Sequence, residues 1–179
     1  GNLSGGMKQK LSLCCALIHR PRVLLLDEPT FGVDPISRRD LWLILHEMVG
    51  EGVTILVSTS YLDEAERCDR VALLHNGRLL ALGSPEELLE LLPGQVISVE
   101  GHDPRRIRDS LRRLEGLEGT VLFGNVVHGL LREGGATLKE VRRILEQENG
   151  ESVNAEIVDP SLEDVFLHLI REGEEEVRA

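Results

Sequence analysis

The sequence predicts an α/β fold, with a parallel sheet flanked by helices and then a small α+β domain. Three observations carry this. Strand and helix signals alternate through the first half, as in a parallel sheet whose crossovers are helices. Two short apolar runs, over 23–26 and 53–57, suit strands buried on both faces. And the 179 residues are 41% apolar and 28% charged, the balance of a globular chain large enough for one ordinary core or two small ones.

Between the two runs, Asp34 can cap a helix that has Pro35 at its first position and Leu41, Ile44, Leu45 and Met48 at helical spacing. Asn76-Gly77 then separates apolar stretches over 71–74 and 78–82. Both of its residues tolerate positive φ, so a two-residue hairpin is predicted, forming an antiparallel edge to the sheet. Ser84-Pro85-Glu86-Glu87 reads as an N-cap, a proline at the first helical position and acids facing the dipole, opening a short helix to about Leu92. Leu92-Pro93-Gly94 breaks the pattern. Beyond it the expected order is strand 95–100, helix 104–114, hairpin 120–132, helix 138–147, strand 155–158 and helix 162–170, with a frayed acidic tail over 173–179. The expected domains are therefore 1–92 and 95–172.

A net charge of −11 at pH 7 gives broad electrostatic capture of nucleic acid or anionic membrane little support. No apolar run reaches the ~20 residues of a bilayer span, and the first residues do not resemble a signal peptide, so the cytoplasm is the expected compartment. Cys14, Cys15 and Cys68 fit neither a metal-ligand spacing nor a disulfide framework and are expected to be small buried hydrophobes. The histidines at 19, 46, 75, 102, 128 and 168 lie in no metal-like spacing and are expected at or near the surface; Trp42 is expected to pack.

Two segments carry chemistry. In Leu3-Ser4-Gly5-Gly6-Met7-Lys8-Gln9, Ser4 can cap the apolar helix that follows, while Gly5 and Gly6 let backbone N–H groups approach an anion at the positive end of the dipole. A Ser-Gly-Gly helix start with no ligand is the competing reading. In Val23-Leu24-Leu25-Leu26-Asp27-Glu28, two carboxylates follow a buried strand at the edge where open α/β sheets bind ligands. There Asp27 can reach Mg²⁺ through its water shell and Glu28 can orient or deprotonate a water. The alternative is a strand exit with solvated acids.

In this order, separated by one helix, the two segments resemble the ATPase domain of ABC transporters, a P-loop NTPase fold. Leu3 to Gln9 is similar to the family's signature loop, Val23 to Glu28 to its Walker B strand with catalytic glutamate, and Phe31-Gly32-Val33-Asp34-Pro35 to its D-loop. Val57-Ser58-Thr59-Ser60-Tyr61-Leu62-Asp63-Glu64-Ala65-Glu66 is similar to the segment that carries the switch histidine. The resemblance covers 1–92 and implies that ATP and Mg²⁺ are the ligands. It implies that Ser4, Gly5, Gly6 and Gln9 meet nucleotide held by a second ATPase domain in a head-to-tail dimer, that Asp27 serves Mg²⁺, that Glu28 serves the water, and that Asp34 communicates across the dimer. It gives Arg38 and Arg39 no role beyond surface charge. A transmembrane permease is the other implied partner, placing the protein at the inner face of the cell membrane; the acidic charge balance, rather than the resemblance, leads to the expectation that nucleic acid is not a partner.

Two departures qualify the resemblance. The sequence has no Gly-x-x-x-x-Gly-Lys-Ser/Thr loop, whose family place is upstream of the signature, so truncation is expected, with the chain inactive alone and with exposed sheet edges and apolar faces. Ser60 stands where the family has the switch histidine, and its short, uncharged side chain should reach a γ-phosphate poorly. Asp159-Pro160-Ser161-Leu162-Glu163-Asp164-Val165-Phe166-Leu167 is similar to the closing motif of drug-resistance-type exporter ATPases, with Ser161 as a cap and Leu162, Val165, Phe166 and Leu169 on one apolar face. The expected function is the C-terminal part of an exporter's ATP-binding subunit. A non-catalytic regulatory or dimerisation module that lends its signature loop to a partner ATPase is the alternative, and a family member acting on ribosomes or DNA a third.

Overall fold

The computed structural model describes residues 4–132, 134–149 and 153–178. They form two compact units that divide between Leu62 and Asp63.

In the first unit, α1 (Gly5–Leu17) precedes β1 (Val23–Asp27), α2 (Pro35–Gly50) and β2 (Thr54–Ser58). β1 and β2 pair in parallel from Val23↔Thr54 to Asp27↔Ser58, which is the expected strand-helix-strand unit. Asp34 caps α2: its Oδ1 accepts the Ser37 N–H at 2.9 Å, and Pro35 occupies the first turn. Leu41, Trp42, Leu45 and Met48 are the buried stripe of α2, so Trp42 packs as expected.

The strands are covered on one face only. Leu24 is buried, but Val23, Leu25 and Leu56 point to solvent, against the expectation of two covered faces. Alternation along a strand puts 23, 25 and 27 on one face of β1 and 54, 56 and 58 on the same face of β2. Cys14 and Cys15 are exposed and Cys68 half-buried, also against expectation. In α1 only Gly6 and Leu13 are buried, and a rotation of about 100° per residue carries positions 14 and 15 away from the Leu13 side.

The second unit continues from α3 (Leu62–Ala65) with the hairpin of β3 (Val71–His75) and β4 (Arg78–Gly83) and with α4 (Pro85–Leu89). Asn76 and Gly77 both take positive φ, as the two-residue turn requires. Among the described residues, β3 and β4 form a two-stranded sheet of their own, so the predicted hairpin is present but the expected antiparallel edge to the parallel sheet is not: the Asn76-Gly77 turn specifies pairing within the hairpin and nothing about a third strand. α4 carries a full capping box: Ser84 Oγ accepts the Glu87 N–H, and Glu87 accepts the Ser84 N–H.

A four-stranded antiparallel sheet follows, built from β5 (Gly94–Glu100), β6 (Leu117–Phe123), β7 (Val126–Arg132) and β8 (Asn154–Val158) in the order β6-β7-β5-β8. α5 (Pro104–Leu111) and α6 (Leu138–Asn149) pack against it. Ile97, Val99, Ile107, Leu111, Val127, Val141 and Leu145 form a core excluded from water. α7 (Leu162–Arg178) packs against α4 and β6. It outruns the expected end at residue 170, since Glu172 and Glu174 are good helix formers and Glu172 lies 3.4 Å from His168 one turn back; Ala179 is outside the described residues.

Candidate functional site

The acidic pair lies where two parallel strands end together. Asp27 and Ser58 are the last register partners of β1 and β2. The Ser58 hydroxyl donates to Asp27 Oδ1 and accepts the Glu28 N–H at 3.2 Å, while the Ser58 carbonyl accepts the same N–H at 3.0 Å. Glu28 takes φ +45°, a left-handed conformation uncommon for a residue with a side chain. The turn then closes with Phe31 N–H donating to Glu28 O at 3.1 Å. Ser60 Oγ donates to Glu28 Oε2 at 3.3 Å, so both residues expected to be catalytic face each other.

Two hydroxyls thus aim at two adjacent carboxylates, which offsets part of their mutual repulsion without neutralising either. Asp27 is exposed and Glu28 half-buried. The set consists of hard oxygens, the donor chemistry of Mg²⁺, and Asp27 has one carboxylate oxygen outside its bond to Ser58. The residues present therefore fit a water-mediated magnesium contact.

Ser4 caps α1, accepting the Met7 N–H at 3.2 Å. Gly5 is exposed at the helix start, while Gly6 is buried. A Cβ on Gly6 would lie 2.5 Å from Ser37 Oγ, so within this chain that glycine permits the start of α1 to approach the start of α2. Gln9 is half-buried along α1. Leu3, the first residue of the signature segment, lies outside the described residues. Asp34 is committed to capping, and the Ser37 backbone and side-chain hydrogen bonds hold its carboxyl below the usual range. The structure brings Asp27, Glu28 and Ser60 together, and shows Ser4, Gly5 and Gly6 at the α1 start and Asp34 at the α2 start.

Two residues gain a place that sequence reasoning does not give them. The sequence marks Ser58 only as part of the switch segment, although it closes the register opposite Asp27; aligning the ends of the two apolar runs is the signal that finds it. Arg38, a surface charge by sequence, stacks on the Tyr61 ring at 4.1 Å from its centroid, tying the residue after Ser60 to α2. Among the described residues, no group of three or more His, Cys, Asp or Glu is placed to hold a metal by itself.

Residues 1–31, which hold the α1 start and the acidic pair, match the family described as ABC transporter. Across 172 residues the chain is 42% identical to the probable multidrug ABC transporter ATP-binding protein YbhF of Escherichia coli (strain K12), an alignment covering 95% of this chain and 29% of that protein. The chain belongs to the ABC-transporter ATP-binding family. It is also 42% identical over 180 residues to the Nod factor export ATP-binding protein I of Rhizobium sp. (strain N33), covering 94% of this chain and 54% of that one. A solved structure titled "Structure of ATP binding subunit of ABC transporter" is 39% identical, covers 50% of this chain and 38% of that chain, and superposes with a TM-score of 0.45. The chain spans about half, or less, of the length of these curated relatives.

Proposed function

We propose that residues 1–92 act as the C-terminal part of an ABC ATPase domain in an exporter, with 95–172 as its accessory domain. Asp27 would hold a water of Mg²⁺, and Glu28 would orient and accept a proton from the water that attacks the γ-phosphate. Mg²⁺, when bound, would neutralise charge on the phosphates. Ser4, Gly5, Gly6 and Gln9 would present the α1 start to ATP on a second ATPase domain, and Asp34 would signal across that dimer. A permease at the inner face of the membrane would receive the work. The observation that carries this reading is the Asp27-Glu28-Ser58-Ser60 cluster at one end of a parallel strand pair, a place where α/β sheets bind ligands.

The alternative, a non-catalytic module that lends its signature loop to a partner ATPase, is favoured by Ser60. Its hydroxyl is engaged with Glu28, and it lacks the charge and reach of a histidine.

One set of measurements separates the readings. By calorimetry the chain alone should show no ATP binding at micromolar concentration. Joined to the phosphate-loop half of an ABC ATPase domain, it should hydrolyse ATP, lose that activity with Glu28→Gln and gain rate with Ser60→His. A joined domain that binds ATP and stays inert, both as the parent and as the Ser60→His variant, would decide for the non-catalytic module.

A further inference from the structure

We propose that Ser58 is the positioning residue of the acidic pair, a role that deepens the ATPase reading above and rests on it. Its hydroxyl touches both acids, donating to Asp27 Oδ1 and accepting the Glu28 N–H at 3.2 Å. The register makes this possible. Asp27↔Ser58 is the last rung of the parallel pair, so both side chains leave the same face of the sheet at its carboxyl end.

The two acids need such a group for different reasons. Asp27 is on an exposed strand end, where a carboxylate otherwise samples several rotamers; a hydroxyl donor on one oxygen selects the orientation that presents the other. Glu28 is held in a left-handed backbone conformation, which persists only when its surroundings over-determine it. Two acceptors from one residue supply that determination, the Ser58 carbonyl at 3.0 Å and its hydroxyl at 3.2 Å, both on the Glu28 N–H. Ser60 then meets the Glu28 carboxylate from beyond the strand end, at 3.3 Å. An alanine or valine at 58 would keep the carbonyl bond and lose both hydroxyl bonds. Ser58 touches no reacting atom in this arrangement: it acts through Asp27 and Glu28, fixing where a magnesium-bound water and an attacking water can be met.

The test uses Ser58→Ala and Ser58→Thr, the second of which keeps the hydroxyl. In the chain itself, NMR-detected exchange of the Glu28 amide should speed up about tenfold in Ser58→Ala, the loss of one hydrogen bond, and return towards the parent rate in Ser58→Thr. In the chain joined to a phosphate-loop half, Ser58→Ala should lower kcat about tenfold while KM for ATP stays within about twofold, since positioning of the reacting water is lost and nucleotide binding is not; Ser58→Thr should restore kcat. An unchanged Glu28 exchange rate, or an unchanged kcat in an active joined domain, overturns the proposal. If the joined domain hydrolyses no ATP, both as the parent and as the Ser60→His variant, the ATPase reading fails, and the Glu28 amide alone decides whether Ser58 orders the pair.

Discussion

In the four-stranded sheet of the second unit, Ile97, Val99 and Val127 are fully excluded from water, whereas on the parallel pair of the first unit Leu25 and Leu56 remain 70% and 66% exposed. Both sheets are built from similar apolar stretches. They differ in what covers them. β5 and β7 are central strands with α5 and α6 against the sheet, and the core residues come from all of these elements. β1 and β2 have no flanking strands among the described residues and carry Leu25 and Leu56 side by side on the open face. An apolar run therefore declares that a strand exists and says nothing about how many of its faces are covered, which depends on partners elsewhere in the chain or beyond it.

The sharpest way to break this contrast is a cavity in the covered sheet. Ile97→Ala should cost the second unit about 2–5 kcal/mol, because its neighbours are held by four strands and two helices and collapse poorly around a void. Urea unfolding followed by a probe within residues 94–158 checks this. A cost below about 1 kcal/mol, less than such a truncation costs in a packed core, would mean that this core is as loosely held as the first unit's sheet.

A smaller effect comes from the polar clasp at the start of α7. Asp164 Oδ2 accepts the Ser161 N–H at 2.9 Å and the Ser161 hydroxyl at 2.8 Å, while Oδ1 meets His128 Nδ1 at 3.1 Å. Glu66, from the segment after α3, adds a second tie by accepting the Leu162 N–H at 3.0 Å. Burial works to raise the Asp164 carboxyl, but the His128 and Ser161 hydrogen bonds and the His128 charge outweigh it, holding the carboxyl below its ordinary value of 3.8. Glu163 beside it moves the other way, raised by burial and by the Asp164 and Asp63 charges against the opposing pull of His128. A depressed carboxyl contributes stability that is fully present above the unfolded value and is lost as pH falls through the folded one. Asp164→Asn should therefore remove about 1–3 kcal/mol at neutral pH and flatten the acid-side loss below about pH 4. Unfolding of the two proteins from neutral pH down to about pH 3 reads it, and parallel curves would show that the clasp is not set by this charge.

Much of the fold was legible because its signals were local. Asp34-Pro35, Ser84-Pro85 with Glu87, and Asn76-Gly77 each specify a cap or turn from residues that touch one another in sequence. The Ser4 cap and the acids after β1 were legible for the same reason. What escaped depended on distant partners. Ser58 matters through register with a strand 31 residues away, and Arg38 through stacking on Tyr61. Gly6 reads as a glycine for an approaching anion, yet it also makes room for Ser37, a contact that no local pattern announces. The exposed cysteines belong here too, since small size suggested burial and only the placement of α1 decides it.

The smallest effect on stability is expected where the exposed area is largest, and it sharpens the comparison most. Leu25→Thr with Leu56→Thr puts β-branched residues, which suit strands, in place of two side chains that already face water in this chain, so unfolding of the monomer should change by less than about 0.5 kcal/mol. Association should respond differently. A strand pair that shows adjacent leucines on an open face, beside exposed Val23, is a surface on which copies can gather, and light scattering should show the parent chain associating with rising concentration and the double variant doing so markedly less. If instead the double variant loses several kcal/mol, the face is covered in solution, and the two units treat their strands alike.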